Sequence, residues 1–513
     1  MSFTSVEFIL LVTAAVVLYY LVPKRFQWIV LLAANYIFYL CGGVLLTGYL
    51  LAATVCTYAA GLALERLNAK KGQLDKNLWK RRKKSVAAAA LIFNFGMLYV
   101  VKYLDGTLEV LSQIAGRPVT QINILVPLGI SYYIFQSCGY VIDCYRGKYA
   151  VEHNIGHYAL FVSFFPQMVQ GPISRFRDLG GQLTAQRNLD FENLRSGIQL
   201  MLWGYFKKLI IADRAGVLVN TVFDNYDSYS GSIIALAVFF YCIQLYCDFS
   251  GGIDTARGVA HLFGVNLAEN FRRPIFADSV ADYWRRWHIT LGAWFKDYIF
   301  YPISLGTHFQ KFSQNCRKHM NRYYAATIPG IFALFAVWFG NGIWHGAEWK
   351  YIIYGLYYYV IMVLGMLLEP AFVSFCSKLN IDRNASWYHT MQVVRTFILV
   401  NIGMLIFRSK DIKTAITMLG SVFQPWHGKS NFWQLAFNRG GLFKLDFLLI
   451  AFSVILLYFI GKKQENGHSI RELILAQPLP IRWAIYIIPI VLIIIAGAYG
   501  PGWGVADFIY AKF

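Results

Sequence analysis

Long apolar runs separated by short, basic or glycine- and proline-bearing segments set the pattern of this chain. They lie near residues 7–22, 27–41, 44–64, 86–104, 124–143, 194–212, 232–249, 284–304, 325–345, 350–369, 390–407, 445–461 and 481–499. Many approach the roughly 20 residues that an α-helix needs to cross a hydrocarbon core about 30 Å thick. The pattern therefore predicts an all-α polytopic membrane protein. It degrades in the middle third, where PQMVQGPISRF (166–176) brings prolines, a glycine and glutamines to membrane depth. Irregular backbone there needs surrounding protein or a water-filled cavity, so a re-entrant segment is expected.

Composition narrows the class. With 57% hydrophobic, 17% aromatic and 14% charged residues, 513 residues cannot hide their apolar surface in one soluble core. The formal net charge of +20 sits largely in short segments between apolar runs, which fits the positive-inside rule and anionic headgroups better than nucleic acid. On that rule Lys24, Arg25, the Lys70 to Lys84 segment with its KRRKK, and Lys462 and Lys463 are expected on the cytoplasmic side, with the N-terminus and the tail outside. No basic stretch precedes the first apolar run and no convincing cleavage site follows it, so that run reads as a retained helix. The eight cysteines form no CxxC pair and lie mostly in apolar runs, which predicts buried packing and no metal site.

Candidate chemistry starts at His345, a lone imidazole in FAVWFGNGIWHGAEWKYIIYGLYYY (335–359). An ionisable group at membrane depth is costly and marks a functional site by default. Its ordinary pKa, about 6.5, suits a general base; the bland alternative is a helix-end histidine bonded to a neighbouring carbonyl. Glu348 could share its helical face and orient the ring, or be a solvated helix-end carboxylate. Trp338, Trp344, Asn341 and the backbone amides of GNGIWHG are candidate oxyanion donors, and the glycines suit close helix packing or a break. Upstream, Asp248 and Ser250 precede a glycine pair and could simply cap a helix. The stretch from Asp282 to Ile303, with three tryptophans, Arg285, Arg286, His288, Lys296 and Asp297, reads as an interfacial amphipathic helix.

The order FPQMVQGPISRF, YCDFSGGIDTARGVAHLFG, ENFRRPIFADSVADYWRRWHITLGAWFKDYIFYPI and GNGIWHGAEWKYIIYG resembles the membrane-bound O-acyltransferase superfamily. Within it the chain is similar to the bacterial alginate and peptidoglycan O-acetyltransferase membrane subunits and the teichoic-acid D-alanyl transfer protein. The resemblance spans nearly the whole chain, strongest over 161–359. It implies one integral-membrane acyltransferase domain over 1–513, a ring of tilted helices around a thin centre, with a cytoplasmic donor opening and an outward funnel. It also implies His345 as the catalytic histidine and His288 as the second characteristic one. Asp248, Arg285, Arg286, Trp344 and Asn341 are the accompanying candidates for substrate binding.

After the last run and the 481–513 terminal region's helix, the chain ends in FIYAKF. This resembles the F-x-Y-x-x-F ending of the small peptide that accompanies teichoic-acid D-alanylation, and a similar ending that the membrane subunit itself carries in peptidoglycan O-acetyltransferases; the resemblance implies Tyr510 as an acyl carrier seated by Phe508 and Phe513. The bland alternative is an aromatic interfacial anchor. The implied function moves acetyl from a cytoplasmic donor, acetyl-CoA, through His345 and Tyr510. The recipient is an extracytoplasmic SGNH-hydrolase-like partner that O-acetylates a wall polysaccharide, peptidoglycan first. No Gly-x-Ser-x-Gly elbow is present to perform that last step here. D-alanyl transfer to teichoic acid and alginate O-acetylation are the alternatives, and a transporter or flippase is the alternative of another class. The implied location is the bacterial plasma membrane.

Overall fold

The computed structural model describes residues 1–117, 120, 122, 124–229, 231–424, 441–499, 503, 508 and 509. Its regular elements are helices; the described residues contain no strand, only an isolated antiparallel bridge between Phe271 and Trp287. Eight helices among them are long and apolar enough to cross a membrane: Val44–Ala69, Lys76–Lys102, Gly231–Leu262, Arg322–His345, Trp349–Lys378, Ser386–Arg408, Lys444–Glu465 and Leu479–Ala496. Their outer faces stay apolar, with Val360, Leu364, Leu368 and Phe372 exposed on one and Ile487, Ile488, Val491 and Ile495 on another. Exposed aliphatic stripes of that kind are what lipid covers. The chain is thus a polytopic membrane protein.

The other apolar runs are shorter or broken. Val6–Leu21 and Gln27–Leu40 have 16 and 14 residues, which at about 1.5 Å per residue fall short of a 30 Å core. Ile130–Arg146 buries fourteen of its seventeen residues, so its apolarity serves protein packing. The region expected as one interfacial helix is several short ones, Val280–Arg286, Ile289–Phe295, Lys296–Phe300 and Tyr301–Ser304, interrupted at His288. KRRKK is helical too, in the first turns of Lys76–Lys102, which Asp75 caps by accepting from the N–H groups of Asn77 and Leu78.

The described residues form two compact units, one from residues 1–201 and 252–269, the other from 202–251 and 270–509. In the first, PQMVQGPISRF follows helix Ile155–Ser163 as one short turn and irregular backbone whose residues 166–173 are all buried. Asn35 anchors it by accepting from the Phe165 N–H at 3.0 Å. Protein therefore surrounds this irregular segment, as membrane depth requires. The second unit holds both candidate histidines.

Candidate active site

His345 is the last residue of helix Arg322–His345, and a three-residue connection leads into Trp349–Lys378. The two helices lie close because glycines face backbone: a Cβ on Gly342 would stand 2.7 Å from the Tyr351 carbonyl oxygen, and one on Gly355 would collide with that of Trp338. Small residues thus let the returning helix lay its aromatics against the imidazole. Tyr351 stacks on His345 at 6.2 Å between centroids, and Tyr354 and Phe407 meet it edge-on at 5.7 and 4.9 Å. The ring is only 3% exposed. Glu348 stands outside this cage, at the N-cap of the next helix with its carboxylate paired to Lys350 at 3.1 Å. It is a solvated helix-end carboxylate.

His288 is built differently. Its backbone lies in the left-handed region, φ 46° and ψ 51°, at the N-cap of Ile289–Phe295. Such a conformation costs a non-glycine residue about 1–3 kcal/mol and persists only where the surroundings impose it. Asn270 and the Phe271–Trp287 bridge impose it here, with the Asn270 carbonyl accepting from the Ile289 N–H at 3.0 Å. The Asn270 Oδ1 accepts from the Thr290 backbone N–H at 2.9 Å, which fixes the orientation of its amide. The His288 Nδ1 lies 3.2 Å from that same oxygen, so Nδ1 carries the proton and Nε2 the lone pair. Burial pushes this imidazole below its ordinary pKa, leaving it neutral at pH 7.

Trp344 joins the histidines. Its indole meets His345 at 4.8 Å and His288 at 5.8 Å, both steeply tilted. His288 also lines a cavity of about 430 Å3 with Trp284, Trp338, Asn341, Arg285 and Lys296, whereas His345 does not. Two buried donors on that wall, the Asn341 Nδ2 and the Trp284 Nε1, have no hydrogen-bond acceptor among the described residues. Both arginines meet Asp282, but Arg286 holds it at 2.6 Å and also Glu465 at 2.7 Å, while Arg285 reaches it only at 3.4 Å and stays exposed at the cavity's edge.

Asp248 and Ser250 cap nothing. Both sit inside helix Gly231–Leu262, fully buried. Their partners are two lysines that the apolar pattern had hidden in FKKLIIA, a π-helical segment over Phe206–Ala212. Lys207 donates to the Ser250 Oγ at 2.9 Å, and Lys208 bridges Asp248 at 2.7 Å and Asp213 at 2.8 Å. Charges within an apolar run are the sequence signal that could have drawn attention to them. The next residue, Phe249, meets the His288 ring edge-on at 4.8 Å. The C-terminal tail reaches the same cluster: the Ile509 N–H donates to the Asp248 Oδ2 at 2.9 Å, and Phe508 lies under the Lys208 ammonium at 4.5 Å. Tyr510 and Phe513 lie outside the described residues.

Comparison with known proteins adds a second line. Residues 150–315 match the MBOAT, membrane-bound O-acyltransferase family. The chain is 31% identical over 450 residues to the probable alginate O-acetylase AlgI of Azotobacter vinelandii, covering 86% of this chain and 81% of that one. It is 28% identical over 425 residues to the peptidoglycan O-acetyltransferase of Helicobacter pylori strain 26695, covering 78% and 73%. With the teichoic acid D-alanyltransferase of Bacillus subtilis strain 168 it shares 30% over 298 residues, covering 56% and 70%.

Proposed function

The chain belongs to the membrane-bound O-acyltransferase family and is an O-acyltransferase, and from that premise we propose that it carries acetyl across the membrane from acetyl-CoA to an extracytoplasmic acceptor through His345. The observation that carries this reading is the Trp344 contact that joins His288, on a cavity wall, to the buried His345 behind it. Acyl transfer to a hydroxyl needs a base for the proton and donors for the oxyanion. His345 is the base in this scheme: it takes the proton of the acceptor hydroxyl as the oxygen attacks the thioester carbonyl, and returns it to the sulfur as the C–S bond breaks, so that coenzyme A leaves as the thiol. The Asn341 Nδ2 and Trp284 Nε1 supply the oxyanion donors, because both stand on the cavity wall with no acceptor among the described residues. Arg285 and Lys296, on the cavity's lining, suit the phosphates of a coenzyme A donor.

Tyr510 is the proposed first acceptor. A thiol titrates near 8.5, a phenol near 10 and a sugar hydroxyl higher still, so a relay from thioester to tyrosyl ester to sugar runs downhill. An SGNH-hydrolase-like partner outside the bacterial plasma membrane then moves the acetyl group to a polysaccharide. The FIYAKF ending favours peptidoglycan, and alginate is the competing polymer. The deciding experiment supplies radiolabelled acetyl-CoA and, in parallel, a D-alanyl carrier protein to the purified chain. Label on the wild-type chain from acetyl-CoA alone, lost in His345→Ala, supports the reading. Label from the D-alanyl donor alone overturns the acetyl assignment, and label retained in His345→Ala overturns the mechanism.

A further inference from the structure

The polar cluster around Lys208 is larger than acyl transfer at His345 requires, and its pattern extends along one segment. Lys208 and Arg214 are both buried, and each is paired with acids: Lys208 with Asp248 and Asp213, Arg214 with Asp446. Each of the two cations carries an aromatic residue of the C-terminal tail. Phe508 lies 4.5 Å from the Lys208 ammonium, and Trp503 lies 4.9 Å from the Arg214 guanidinium. Between the seats the carboxylate of Asp248 divides its work, one oxygen accepting from Lys208 and the other from the Ile509 main chain.

Buried ion pairs are poor devices for stability, since desolvation offsets much of their attraction and apolar residues would serve as well. They are good devices for holding something in one place, because a desolvated cation attracts an aromatic face and a fixed carboxylate fixes the donor that reaches it. We propose that Lys208, Arg214 and Asp248 form a receptor for the chain's own C-terminal tail, seating Trp503 and Phe508 on the two cations and pinning the Ile509 N–H on the carboxylate. Asp248 is followed by Phe249, which touches His288, so the receptor adjoins the candidate site. Lys208, Arg214 and Asp248 are positioning residues in this scheme. The inference rests on the proposed function for its purpose, the presentation of Tyr510, but its geometry stands without it.

Hydrogen exchange of the tail peptide 503–513, followed by mass spectrometry in the intact purified protein, reads the receptor directly. Ile509→Pro removes the pinned N–H, together with the isoleucine side chain and some backbone freedom at residues 508 and 509, and Phe508→Ala removes one aromatic seat; both changes are confined to the tail. Each is expected to speed exchange of the remaining tail amides by about tenfold or more, as the loss of a hydrogen bond to a charged group or of a buried ring implies. Asp248→Ala is expected to do the same, and if it fails to fold the two tail-side variants decide. Tail exchange within about twofold of wild type in both, with core exchange unchanged, overturns the receptor. Acetyl transfer measured on the same samples separates the two readings. Faster exchange with transfer intact keeps the receptor and removes the tail from the reaction. Unchanged exchange refutes the receptor whatever the transfer result.

Discussion

Trp344 stands edge-on to His288, their ring centroids 5.8 Å apart and their planes at 70°, although one ends a long helix and the other interrupts a broken one. Through that indole the cavity wall bearing His288 is continuous with the aromatic cage of His345.

His345→Ala should leave the purified protein folded with an unchanged elution profile, its Tm lowered by the cavity that the buried ring leaves among Tyr351, Tyr354 and Phe407. Acyl transfer should fall about a hundred- to ten-thousand-fold, the usual contribution of a general base. Turnover close to wild type in a folded sample would assign the ring a packing role.

His288 is expected to act on the donor side, because it lines the cavity and His345 does not. His288→Ala should raise the donor KM more than it lowers kcat. Asn270→Ala, which releases the Nδ1 proton from its acceptor, should reproduce part of that effect. A fall in kcat with donor binding intact would move His288 into the chemical step.

Tyr510→Phe keeps ring and anchoring surface and removes only the hydroxyl. The variant should assemble and bind donor yet pass no acyl group to polymer. Mass spectrometry of the native tail should find an adduct on Tyr510 that disappears in His345→Ala. Full polymer acylation by Tyr510→Phe would leave the tail as an anchor and require His345 to serve an incoming acceptor directly.

Gly342→Val should destabilise the helix pair around the site, because its Cβ would meet a main-chain oxygen at 2.7 Å and backbone cannot turn aside as a side-chain tip can. Overpacking of this kind typically costs about 1–3 kcal/mol. Thermal unfolding in detergent should show a lower Tm, with transfer reduced in proportion to folded protein or further. An unchanged Tm would mean that the helices separate freely there.

Orientation can be read with a membrane-impermeant thiol reagent on single added cysteines. Sites in the Lys70 to Lys84 segment and beside Lys462 should label only after permeabilisation, and a site after Gly500 in intact cells. A tail reactive only in permeabilised cells would sink the relay at its last step.

Much was legible along the chain because membrane burial writes itself into composition: a helix crossing lipid must be apolar over about 20 residues, and among the described residues eight helices are long and apolar enough. His345 stood out for the converse reason, as an ionisable group where such groups are costly. Periodicity could not separate runs buried by lipid from runs buried by protein, which is why Ile130–Arg146, apolar and enclosed by its neighbours, read as a span. Nor could it say who partners whom. Asp248 resembled a cap because local sequence offers only local partners, whereas its real ones, Lys208 and the Ile509 N–H, are far away in the chain. The same limit hid Asn270 behind His288 and Trp344 between the two histidines. Apolar length and isolated charge are properties of a segment, so the order of residues carries them. Pairing, tautomer and a tail's resting place depend on distances between segments, and those exist only once the helices have packed.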